Sequence, residues 1–296
     1  MIMRTILTVL IILTWLETLA QQPVVNRKEF QFKDASHTNT LIVANINGSV
    51  HVEGHPGEKV LVETKMQSGG ESGITGDKDK EITVGYVELQ DTLILYIEGL
   101  CSSFGRTRDR QHERHGGWGY DYTACNDGGW TKNDQDYEVN FVIRVPAKTN
   151  LILSTINKGD LNVTGHDGGV IAENINGNVK LDHITGATRA TTINGDLTLN
   201  YDRNPGVDCR YYSLNGDIRA DFRKGLAATL SFKSFNGDFY TNLDDLVSLP
   251  VSLEKTQDKE GVRYKLSGNR YSVREGDIHL NFETFNGNVY LREKEL

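Results

Sequence analysis

The chain has 296 residues, only 38% of them apolar, and carries 30 glycines against five prolines. That balance excludes one thick hydrophobic core and favours many tight turns. With 32 basic and 40 acidic residues, a net charge of −8 and no long run of either sign, a nucleic-acid partner and a polybasic membrane anchor are both excluded.

The chain opens with Arg4, an apolar run from Thr5 to Leu16, and small residues Thr18 and Ala20. This is the pattern of a cleaved signal peptide over residues 1–20, with the exported chain starting near Gln21. The apolar run is too short to span a bilayer, so no transmembrane segment is expected in the exported part. Periplasm, cell surface and extracellular space remain open as destinations.

Glu29–Phe32 and Leu41–Ala44 read as an opening coil. Val60–Met66, Ile82–Leu89 and Thr92–Ile97 alternate as strands, with a polar loop at Ser68–Lys80. The strand signal then stops, and residues 101–136 form one long excursion. In an oxidising compartment Cys101 and Cys125 read as a disulfide, with three free thiols as the alternative; Cys209 is left over. The excursion gathers Arg114, Trp118, Tyr120, Tyr122 and Trp130, the residue types of a glycan- or protein-binding surface. Equally open is a packing role, with these aromatics lying back on the flank of the coils. His112 and His115 are three apart rather than the four of a zincin helix, and with the two cysteines they match no zinc-finger spacing, so no metal is assigned.

Beyond Val145 one phrase returns: TINGDL at Thr192, SLNGDI at Ser213, SFNGDF at Ser234, TFNGNV at Thr284. Its asparagines are Asn47, Asn176, Asn194, Asn215, Asn236 and Asn286, with Asn157 in a variant one residue longer. From Asn157 onward the spacings are 19, 18, 21, 21 and 50. Each short period holds two alternating strands but one Asn-Gly pair. A meander of hairpins would place such a turn after every strand. The expected fold is therefore an all-β, single β-solenoid of 18–21-residue coils over residues 21–296, with a hairpin-based sandwich or barrel as the alternative. The asparagines form a turn ladder. The pairs Ile193 with Leu197, Leu214 with Ile218 and Phe235 with Phe239 are expected as buried columns, and the corner glycines as positive-φ positions. Gly-Asp pairs such as Gly195-Asp196 suggest calcium or simple turn chemistry; without the nine-residue calcium-roll repeat, turn chemistry is preferred. Leu246–Val251 and Arg263–Leu266 read as strands around a charged loop at 252–262, and the last coil closes near Leu296 with no further domain expected. Asn47 and Asn162 match the N-glycosylation pattern.

The segments ANINGSVHVEGHPGEKVLVETK (44–65) and VPAKTNLILSTINKGDLNVTG (145–165) resemble the bacterial exported putative-adhesin family, over nearly all of residues 28–296. The resemblance implies a repetitive all-β domain at the cell envelope without known catalysis, and it supplies no functional residues. The expected function is a non-enzymatic, adhesin-like interaction protein with a glycan or protein ligand and no cofactor. A self-stacking periplasmic scaffold is one alternative. A polysaccharide-processing enzyme, using carboxylates such as Asp202, Asp208 and Asp221 beside Arg210, is another. Oligomeric state stays open.

Overall fold

The computed structural model describes residues 24–33, 38–68, 82–98, 103–106, 118–121, 137–250, 252–258, 261–267 and 269–295. The signal peptide, Cys101, Cys125, Arg114, Tyr122, Trp130 and the His112–His115 pair lie outside them. The described residues are all β. They form two large facing sheets, of 10 and 11 strands, and two separate hairpins.

The alternating sequence explains the facing sheets. In Val170–Asn176, Val170, Ala172 and Asn174 point inward and are buried, while Ile171 and Glu173 point out. The chain then turns at Asn176-Gly177, and Val179–Ile184 buries Val179, Leu181 and Ile184 from the opposite sheet. Every Asn corner thus joins a strand of the 11-stranded sheet to a strand of the 10-stranded sheet. The two strands with their corner make one layer, named here by its asparagine. Strands of successive layers pair in parallel and in register, Val170 with Thr188 and Val179 with Leu197 for example.

The order of layers departs from the order of the chain at both ends. The Asn47 layer (Thr40–Ala44 and Val50–His55) is not outermost, because Thr92–Glu98 and Tyr137–Pro146 pair along its far side. The Asn286 layer (His279–Asn286 and Val289–Lys294), last in sequence, is inserted between the Asn215 and Asn236 layers. The 50-residue interval from Asn236 to Asn286 is the detour that this insertion requires.

Antiparallel strands border the repeated layers, so the sheets are mixed. Val24–Gln31 pairs with Lys59–Ser68, which pairs with Tyr137–Pro146. Residues 29–31 therefore belong to a bordering strand, with Phe32 just past its end, and not to an opening coil. At the other end Arg270–Val273 pairs antiparallel with Ala228–Lys233 and with Leu246–Ser248. The segment read as a charged loop at 252–262 is instead part of a hairpin, Ser252–Asp258 with Gly261–Ser267. Val262 and Val251 at its ends and the alternation of LEKTQ and VRYKL carry the strand signal that its charge obscures.

One hydrophobic core runs between the sheets. Near the Asn47 layer it is built from Val, Leu and Ile with Tyr137 and Phe141; farther along, Tyr201 stacks on Phe222 at 5.0 Å and Tyr211 packs at a tilt against Phe282 at 4.8 Å. The hydroxyls of Tyr201 and Tyr211 satisfy each other at 2.8 Å inside it. Burial pushes both tyrosine pKa values well above the ordinary value, and for Tyr211 the neighbouring Tyr201 adds to the rise. Cys209 is a buried free thiol, receiving the Thr188 amide at Sγ.

Candidate interaction surface

Three columns of hydrogen bonds run along the Asn corners, perpendicular to the strands. In the first, each asparagine amide donates to the Oδ1 of the previous layer: Asn157 to Asn47 at 3.3 Å, Asn176 to Asn157 at 2.8 Å, Asn194 to Asn176 at 2.8 Å. It continues from Asn215 to Asn194 at 2.9 Å, Asn286 to Asn215 at 2.8 Å and Asn236 to Asn286 at 2.8 Å. All seven asparagines singled out from the repeat lie in this one row. Asn47 is itself 3% exposed, so its glycosylation pattern is a by-product of the corner.

The residue after the glycine makes the second column. The backbone amides of Asn178, Asp196, Asp217, Asn288 and Asp238 donate to the side-chain Oδ1 of Asp160, Asn178, Asp196, Asp217 and Asn288 respectively, at 2.7–3.0 Å. Asp and Asn alternate freely there because both present an Oδ1 at the same reach. This accounts for the recurring Gly-Asp pairs without an ion. Where two aspartates fall in adjacent layers, Arg219 spans them, at 2.8 Å from Asp196 and 2.6 Å from Asp217.

The third column was missed in the repeat, although it stands two residues before every asparagine. Thr155, Asn174, Thr192, Ser213 and Thr284 are buried, and each donates its side chain to the glycine carbonyl of the preceding layer, at 2.7–3.3 Å. The bond gives that carbonyl a partner, and the Gly48 carbonyl accepts the Asn45 amide as well, at 3.0 Å.

Two expectations about this corner need correction. Gly48, Gly216, Gly237 and Gly287 do adopt a positive φ, at 118–158°, but Gly177 and Gly195 do not. They are glycine because the layers approach too closely for a side chain: a Cβ on Gly195 would lie 2.2 Å from the Gly177 carbonyl oxygen. Nor are both apolar flanks buried. Leu197 and Ile218 are in the core, but Ile193, Leu214 and Phe235 point outward, since the inward position belongs to the third column. With Ile46, Ile156, Ile175 and Phe285 they form an outward apolar row of one residue per layer, six layer spacings or ~29 Å long.

This row ends in aromatics. Phe235 stacks on Phe285 with parallel rings at 4.8 Å, and across the corner Tyr240 stacks on Tyr290 at 5.1 Å. Arg219 lies over Tyr290 at 5.4 Å. Phe235 is 74% and Tyr240 49% exposed. Each of these two rings is packed on one face and open on the other.

Of the aromatics singled out in the excursion, Trp118 and Tyr120 are described, and both are partly buried. They lie in the strand Trp118–Asp121, which pairs with Ser103–Arg106. Phe104 stacks between Tyr96 at 4.8 Å and Trp118 at 6.0 Å, with the Tyr120 ring on its edge. The Tyr120 hydroxyl donates to the Ala44 carbonyl at 2.7 Å and accepts the Ile97 amide at 3.0 Å, filling one rung between two adjacent strands.

The weighed carboxylates do not converge. Asp202 pairs with His183 and Arg223, and Asp221 with Arg292 and Lys294. Asp208 accepts the His279 amide, while Arg210 pairs with Glu283. A groove of about 520 Å³ crosses the outer face of the 11-stranded sheet past Ile152, Ile171, Arg210 and His279. Among the described residues no helix is long and apolar enough to cross a membrane.

No protein-family model matches the chain, and no curated protein matches it. Two solved structures are similar. One is described as a putative cell adhesion protein from Clostridium sporogenes ATCC 15579, at 12% identity and TM-score 0.46, covering 92% of this chain and 100% of that one. The other is a putative adhesin from Bacteroides fragilis NCTC 9343, at 8% identity and TM-score 0.32, covering 92% of this chain and 97% of that one.

Proposed function

We propose that this chain is an exported, non-catalytic interaction protein, adhesin-like in role, whose layers act as one rigid β-solenoid. The exposed rings of Phe235 and Tyr240 carry the reading. Among the described residues these are the two most exposed aromatics, ahead of Tyr86 and Phe285 at 44% each, and both are held by stacking partners on one side and offered to solvent on the other. Rings fixed in advance lose little entropy on contact, which suits recognition of a glycan or protein surface. Carboxylates held in separate ion pairs and hydrogen bonds favour binding over glycoside chemistry, which needs a facing pair.

The test is binding of the purified chain to an array of polysaccharides and extracellular-matrix proteins. The F235A/Y240A double variant should bind at least 10-fold more weakly while melting within a few degrees of the parent. Equal binding by parent and variant would remove these rings from the function. Protease treatment of intact cells gives the location, since cleavage without permeabilisation means surface display.

A further inference from the structure

The Asn236 layer ends the ladder, and every layer from the Asn157 layer up to it shows what a following layer uses. A following layer donates an amide to the corner Oδ1, a backbone N–H to the Asx Oδ1 and a hydroxyl or amide to the glycine carbonyl, and it pairs a strand with the strand edge. On the Asn236 layer Asn236, Gly237 and Asp238 are all exposed. The strand Phe239–Thr241 is the last of its sheet. The 11-stranded sheet is closed at this end as far as Phe232, whose amide donates to Asn269. The open part is therefore half a layer, from Ser234 through the corner to Thr241.

We infer that this half-layer is a docking site for an extended segment of a partner protein, reading hydroxyl or amide, apolar, Asn, Gly, Asp or Asn, any residue, aromatic. The segment would add as a strand. Its asparagine would donate to Asn236, its Asx backbone N–H to Asp238, its hydroxyl to Gly237, and its two apolar side chains would cover the open faces of Phe235 and Tyr240. The exposed Ser234–Tyr240 of an intact second copy fits this pattern, but its donors are taken, since the Asn236 amide already bonds Asn286 and the Asp238 N–H bonds Asn288. At the opposite end the Asn47 corner is already covered, with Asn45 donating to the Val139 carbonyl at 2.8 Å and the Ser49 amide to Asn140 at 2.7 Å. The inference rests on the interaction role proposed above and specifies its partner.

A fluorescein-labelled peptide TFNGNVYLR, the chain's own Thr284–Arg292, is the probe, titrated with the purified chain by fluorescence anisotropy. Saturable binding is expected, at least 10-fold weaker when the peptide asparagine is replaced by alanine and at least 10-fold weaker for Asn236→Ala. Thr241→Pro, which changes the strand edge but leaves Asn236, should also weaken it, and thermal melts check that both variants fold. Absence of saturable binding, or binding indifferent to both asparagines, overturns the inference. So does concentration-dependent assembly in sedimentation that Asn236→Ala abolishes, which would place a second copy at this end. If the peptide fails while array binding still depends on Phe235 and Tyr240, only the strand-addition inference falls.

Discussion

The side-chain amide of Asn286 donates to Oδ1 of Asn215 at 2.8 Å, although the two residues are 71 apart in the chain. The bond has the same length and direction as those between layers that follow each other directly. The ladder is therefore a property of the stack, indifferent to how the backbone reaches each position. A defect in one rung should be felt by both neighbours.

Asn194→Ala removes one donor and one acceptor from the ladder, since Asn194 bonds Asn176 and Asn215. At about 1 kcal/mol per net hydrogen bond, a loss of ~2 kcal/mol is expected in urea unfolding. Asn194→Asp keeps the acceptor but sets a carboxylate against Asn176 Oδ1, and should be the worse of the two at neutral pH.

Glycine positions should separate cleanly by what lies above them. Gly195→Ala drives a Cβ to 2.2 Å from a backbone oxygen, and a cost on the order of 3 kcal/mol is expected. Gly206 has open space around its position, and Gly206→Ala should be neutral or stabilising by about 0.4–1 kcal/mol. Thermal melts of the two variants give the comparison.

Arg219 offsets the adjacent charges of Asp196 and Asp217. Its replacement by glutamine should destabilise by less than about 1 kcal/mol, because the group is partly exposed. Asp217→Asn in the same chain should recover the loss, and added salt should shrink it. A double-mutant cycle reads both effects.

Tyr120→Phe deletes the hydroxyl that links Ile97 and Ala44. Both backbone groups then lose that partner, at about 1–3 kcal/mol. Amide hydrogen exchange at Ile97 should accelerate while exchange at Val179, several layers away, stays unchanged.

His166 supplies a pH dependence. It is fully buried, its Nε2 lies 2.6 Å from the Thr149 carbonyl, and among the described residues its Nδ1 has no hydrogen-bond partner. Burial lowers its pKa below the ordinary imidazole value, against smaller opposing effects of Thr149 and Asp167. The unfolded chain thus takes up a proton more readily than the folded one. The stability this histidine gives as a neutral group is present above about pH 6.5 and is lost as pH falls through the lowered folded value, with a slope of up to about 1.4 kcal/mol per pH unit. His166→Leu should flatten that slope between pH 7 and 5 in chemical denaturation.

Much of the corner was legible because each layer repeats the same local chemistry. The asparagine positions follow directly from aligning TINGDL with its variants. The outward direction of Ile193 and Phe235 did not follow, since hydrophobic type alone suggested the core, while the buried Thr192 beside Ile193 was the overlooked signal. Another signal lay in LIVA and LILYI, which are apolar without a break. Leu41 and Leu93 face the core, and Ile42 and Ile94 are buried on the other side of the sheet. A continuous run means two covered faces. The insertion of the Asn286 layer could not be read from spacing, because the bonds that accept it are identical at every layer.

That insertion, with its counterpart at the Asn47 layer, has a mechanical consequence. A stack built in chain order could fray from its first or last coil. Here the Asn47 and Asn286 coils are each clasped between two others, so once the bordering strands are stripped away, removing either coil must break parallel pairing on both of its sides instead of one.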